Sequence, residues 1–154
     1  MYPFIVGLFM FAGPLGSILI EGLSADGPVV WMALAGKWFV FWGVGLRLLT
    51  AGLRQMIQPS FTAEQIFGTK NPEVLHVITE LGVANLAAGV VGVASLWFPG
   101  FVLPSALYGA IFYGVAGIRH IPAPDKSRNE TIAMISDLFI FVVLTAFVVW
   151  AVAG

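Results

Sequence analysis

Polar residues are so sparse along the chain that the hydrophobic pattern reads as five long runs separated by short breaks. The runs cover residues 2–20, 28–50, 74–98, 101–118 and 132–152. A helix needs about 20 mostly apolar residues to cross a hydrocarbon layer roughly 30 Å thick, and all five runs meet or approach that length. No run alternates with the period of two that marks a half-buried strand. The predicted fold is all-α: a polytopic integral membrane protein, a single bundle of about five transmembrane helices. The opening "MYPFIVGLFMF" has no Lys or Arg before its apolar run, so it is expected to be a retained helix and not a signal peptide.

The breaks carry their own signals. In "QPSFTAEQIFGTKNPE", Thr62 and Gln65 have the spacing of a capping box, and Gly68 suits a left-handed helix end. Asn71-Pro72-Glu73 reads as a cap, a first-turn proline and an acid at the positive end of the next helix. A short interfacial helix is therefore expected between the second and third spans. Pro99-Gly100 turns the chain sharply into the fourth span, and Gly13-Pro14 should disturb the first.

Composition supports the membrane reading. Of 154 residues, 59% are hydrophobic and 10% charged, against about 25% charged in soluble domains. Mean hydropathy is +0.96. The net charge of −1 and the lack of a basic stripe argue against nucleic acid as a partner. The absence of cysteine excludes disulfides and thiolate ligands. Arg47, Arg54, Lys70, Arg119, Lys126 and Arg128 all lie near the second-to-third and fourth-to-fifth connections, whereas the loop "EGLSADG", the Pro-Gly turn and the C-terminus carry no Lys or Arg. The positive-inside rule then places the N-terminus in the cytoplasm and the C-terminus outside, in the plasma (prokaryotic inner) membrane. Membrane lipid is the expected partner, with a homo-oligomer or a membrane partner protein also consistent.

Small residues suggest the packing. The third span has Gly82, Ala84, Ala87, Ala88, Gly89 and Gly92; the fourth has Ala106, Ala110, Gly114 and Gly117. Small residues let helix backbones approach closely in lipid. The third and fourth spans are thus expected to form a central antiparallel hairpin, with the bulky "LFIFVVLTAFVVW" of the fifth facing outward.

The candidate chemistry lies in the charges within the spans. A charged residue at mid-membrane costs about 2.5–3.5 kcal/mol on insertion scales, so such residues face inward and pair. At 1.5 Å rise per residue, Glu80 and Asp137 lie about 10 Å inside their spans' cytoplasmic starts. Arg47, Arg119 and His120 lie at the same end, so one polar layer is predicted. Asn85, about 7.5 Å deeper than Glu80, would hydrogen-bond between helices or to a bound group. Lys37, about 13 Å from the outer end, has no acid at its depth, since Glu21 and Asp26 fall in the outer loop. The ligand- or ion-binding candidates are Lys37, Arg47, Glu80, Asn85, Arg119, His120 and Asp137. His76 and Glu80 share a helical face, and with His120 they are the metal candidates. A purely structural network of the same residues is the competing account. No cofactor is expected, and no phosphate loop, nucleophile elbow or zinc-protease motif is present.

The stretches "GKWFVFWGVGLRLLTAGLRQMIQPSFTAEQIFG", "ELGVANLAAGVVGVASL", "YGVAGIRHI" and "SDLFIF" together resemble an uncharacterised family of small prokaryotic multi-pass membrane proteins, known only as a domain of unknown function. More loosely, the last four spans resemble DoxX-like four-helix membrane proteins. That likeness implies a quinone-linked redox accessory as an alternative and transfers no catalytic residue; His76 and His120, on neighbouring helices, could ligate a haem in the same role. Three functions follow as expectations: ion or small-ligand binding and transport, the redox accessory, or a non-catalytic scaffold.

Overall fold

The computed structural model describes residues 2–122 and 126–154. It is helical throughout, with no strand among the described residues. Five helices are long and apolar enough to cross a membrane: α1 (Pro3–Leu23), α2 (Trp31–Ile57), α4 (Glu73–Ala94), α5 (Pro99–His120) and α6 (Arg128–Ala153). The short α3 (Pro59–Gln65) lies between α2 and α4. Hydropathy located all five long helices but misjudged their ends, most of all in the second. The first continues to Leu23, and the second runs to Ile57, past the last strongly apolar residues, because its final turns are amphipathic.

Local signals act largely where the chain suggested. The Asn71 side chain accepts a hydrogen bond from the Glu73 amide at 3.0 Å, and Gly68 takes φ +64° beyond α3. The capping-box expectation fails: Thr62 lies inside α3, buried, and Pro59 opens the helix. Pro14 has no amide hydrogen, and its ring crowds the carbonyl four residues earlier. The chain answers with a π-helical segment at Leu8–Ala12, immediately before Gly13-Pro14. A second π segment, Val40–Leu46, interrupts α2. There the Tyr113 hydroxyl of α5 donates to the Gly43 carbonyl.

The expected central hairpin is not formed. α4 packs along α2, and α5 packs along α6; α4 and α5 share little beyond their connecting turn. The reason is visible at the glycines. A Cβ on Gly89 would stand 2.3 Å from the Leu49 amide nitrogen, one on Gly92 2.6 Å from that of Gly45, and one on Gly52 2.5 Å from that of Leu86. Bare backbone therefore meets bare backbone between α2 and α4. The α5 glycines serve a different neighbour: Gly114 lies under the Phe141 ring and Gly117 under Leu138, both on α6.

Nor is α6 an outer helix on all sides. Ala133, Ser136, Asp137, Ile140, Leu144 and Phe147 form a buried face at helical spacing, while Val142 and Val149 point outward. The core gathers Met10 of α1, Val40 and Val44 of α2, Tyr113 of α5, and Ile140 and Leu144 of α6. α2 touches every other long helix and is the organising element.

Candidate functional site

At the Arg-rich end of the bundle the helices enclose a cavity of about 570 Å³. The last turns of α2 form one wall and contribute Arg47, Arg54 and Gln55; α4 contributes Asn85, α5 Tyr113, Arg119 and His120, and α6 Glu130 and Asp137. Phe61, Ile66 and Phe67, on and just after α3, close it with apolar surface. The predicted polar layer exists, with altered membership.

Asn85 is 2% exposed, and its Nδ2 donates to Gln55 Oε1 at 2.8 Å across the glycine seam. Its Oδ1 is buried with no hydrogen-bond partner. Arg54 rests its guanidinium 3.5 Å from the centroid of the Phe61 ring, and its buried Nε also lacks a partner. Asp137 is buried, and Arg47 and His120 are the charged groups acting on it. His120 Nδ1 and Glu130 Oε1 lie 3.0 Å apart. Glu130 is held by the start of α6, where the Ser127 hydroxyl caps the Glu130 amide at 3.1 Å. Arg119 is exposed and forms part of the cavity rim.

Two sequence candidates do not join this layer. Glu80 is exposed and outside the lining, as is His76. The buried face of α4 is Ile78, Gly82, Asn85, Gly89 and Gly92. At 100° per residue Glu80 points about 140° away from Asn85, so one helix cannot turn both inward. No group of three or more His, Asp or Glu side chains suited to a metal occurs among the described residues. His120 pairs with Glu130 in the cavity lining, and His76 lies outside that lining.

Lys37 is corrected in the opposite sense. It has an acid partner: its Nζ donates to both Glu21 oxygens at 2.8 and 2.7 Å, and Trp38 Nε1 donates to Glu21 Oε2 at 2.7 Å. Depth matching missed this because α1 runs on to Leu23 and carries Glu21 inside the helix. The cluster lies at the opposite end of the bundle from the cavity and forms no part of it.

Gln55, Glu130 and Tyr113 carry no sequence signal of this site, and Arg54 stands out in the sequence only for its charge. A further signal for Arg54 was present: Arg47, Ala51 and Arg54 stand at i, i+4 and i+7, a polar-tolerant stripe on a helix whose hydropathy was fading.

No curated protein and no solved structure matches the chain. Residues 2–153 match a family of unknown function, DUF6790, and nothing in that match bears on a DoxX-like relation. Because the match spans nearly the whole sequence, the chain belongs to this family of unknown function.

Proposed function

We propose that the chain is a multi-pass integral membrane protein that binds a small ligand or ion in the Arg-rich cavity, as the binding step of its handling or transport. The observation that carries this reading is the unpartnered Oδ1 of Asn85, 2% exposed in the cavity wall. A buried acceptor without a donor costs about 1–3 kcal/mol, a cost that a bound donor removes. In the same wall lies Arg54 Nε, also unpartnered. A network whose only task was to lock helix register would be expected to close its own hydrogen bonds. The test is native mass spectrometry of the protein released in mild detergent. A reproducible bound mass that disappears on Asn85→Leu, with the fold retained, supports the site; a bare protein under every release condition counts against it.

We propose further that the Arg-rich end faces the cytoplasmic side of the plasma (prokaryotic inner) membrane, a reading supported by the Lys and Arg distribution. The cysteine-free sequence makes this testable with single introduced thiols. Ser24→Cys should react with an impermeant maleimide applied from outside, and Thr69→Cys only after permeabilisation. The reverse pattern would invert the orientation.

A further inference from the structure

We infer that the cavity ligand bears an anionic head group, a phosphate or carboxylate, that also carries a hydroxyl or N–H donor. This inference rests on the proposed binding role and names the class of ligand. Among the described residues, the cavity lining holds three guanidinium groups (Arg47, Arg54, Arg119) against two carboxylates (Glu130, Asp137). One of those carboxylates already faces His120. The polar surface therefore keeps a surplus of positive charge, and an anion is its natural complement.

Arg54 is the primary contact. Phe61 supports one face of its guanidinium plane, and its buried Nε has no partner. A stacked guanidinium presents donors in a fixed fork that matches phosphate or carboxylate oxygens. Asn85 adds the second requirement. Its unpartnered Oδ1 accepts and cannot donate, so it calls for an O–H or N–H on the ligand, next to the anion. A bare halide or a phosphodiester without a hydroxyl satisfies Arg54 and leaves Asn85 unpaired. Phe61, Ile66, Phe67 and Leu81 supply an apolar wall beside this polar end. The same chemistry occurs in two sources: a lipid head group such as phosphatidylglycerol, and a free hydroxylated organophosphate.

The test measures binding to the full chain in mild detergent by native mass spectrometry. The probes are phosphatidylglycerol, phosphatidylcholine and phosphatidylmethanol with identical chains, and glycerol 3-phosphate. Phosphatidylglycerol should bind about tenfold or more tighter than phosphatidylcholine, the scale of one lost charge-assisted contact. Arg54→Met should erase the part of that preference that phosphatidylmethanol shares with phosphatidylglycerol, and Arg54→Lys should keep some of it; unchanged melting shows that the fold survives. Asn85→Leu should remove the preference for phosphatidylglycerol over phosphatidylmethanol, which lacks the head-group hydroxyl. Glycerol 3-phosphate binding as tightly as the lipid identifies the free anion as the source; much weaker binding identifies the lipid. Both results uphold the anionic head group. Equal binding of phosphatidylcholine and phosphatidylglycerol, or a neutral co-purified mass, overturns this inference and leaves cavity binding intact. Failure of every probe, with no co-purified mass, overturns both.

Discussion

The two polar clusters of this bundle solve the same problem in opposite ways. Between α1 and α2, Glu21 receives two donors from Lys37 and a third from Trp38, so its charge is answered within the protein. At the Arg-rich end, between α2, α4, α5 and α6, Asn85 and Arg54 retain buried atoms without partners beside a cavity of about 570 Å³. Buried polar groups carry a cost unless they are hydrogen-bonded. A closed cluster is therefore explained by what it does for the fold, whereas a cluster left unfinished beside a cavity is explained by what enters it. The contrast also reverses the expectation from sequence, in which Lys37 stood alone and the Arg-rich layer paired itself.

The strongest way to break the comparison is to remove one side of it. Gly89→Val places a branched side chain where even a Cβ stands 2.3 Å from the Leu49 nitrogen. Neither backbone can yield, so α4 must move away from α2 and take Asn85 from Gln55. Overpacking costs typically 1–3 kcal/mol and sometimes more; here a loss of about 3 kcal/mol or more is expected in detergent melting. Ligand binding should vanish, while the indole environment of Trp38 at the other end stays as it is. Gly114→Ala is the control. Its Cβ would meet only the Phe141 ring, which can turn aside. A Gly89→Val protein that melts normally would show that the α2–α4 seam is not the close contact described.

Tyr113→Phe sharpens the comparison from inside the cavity wall. Its hydroxyl is bound to the Gly43 carbonyl, within the π segment of α2. Deleting it leaves a buried carbonyl short of a donor and should cost about 1–2 kcal/mol. Smaller still is the expected coupling in the half-buried pair. Lys37 and Glu21 retain 35% and 38% side-chain exposure, and holding two flexible side chains in one geometry offsets much of their attraction. A cycle of Lys37→Met, Glu21→Gln and the double variant should give a coupling of about 1 kcal/mol or less. A coupling well above that range would mean the pair is more shielded than its exposure suggests.

The sequence disclosed the helices because their cause is local: runs of apolar residues and a few caps. It disclosed less about partners, for a physical reason. Gly82, Gly89 and Gly92 say that some backbone comes close to α4, but not whose, and the chain-adjacent α5 was the wrong choice. The site was half legible. Arg47, Asn85, Arg119, His120 and Asp137 do meet at one end. Glu80 was misplaced because depth along a helix was weighed and rotation about it was not. Since Glu80 points away, Arg47→Leu and Glu80→Leu should be additive in stability. Arg54 and Gln55 were overlooked because the apolar run stops at Thr50 while the helix does not.

Arg54→Met decides between the two kinds of cluster on the sign of a small number. In a closed network, removing one charge strands its partner and costs stability. Here the guanidinium Nε has no partner to strand, and what is lost is the contact with Phe61, worth about 0.5–1 kcal/mol at a partly exposed site. What is gained is relief from holding a third guanidinium in a lining that already carries Arg47 and Arg119. The two effects offset, so the ligand-free variant should melt within about 0.5 kcal/mol of the natural protein, whereas methionine keeps the apolar stem that packs in the wall. Adding the anionic ligand should then stabilise only the natural protein, because binding to the folded state alone raises stability by RT ln(1 + L/Kd), with L the free ligand concentration. A loss of 2 kcal/mol or more without ligand, a scale set by breaking a satisfied charged hydrogen bond, would make Arg54 a structural residue and place both clusters in the same class.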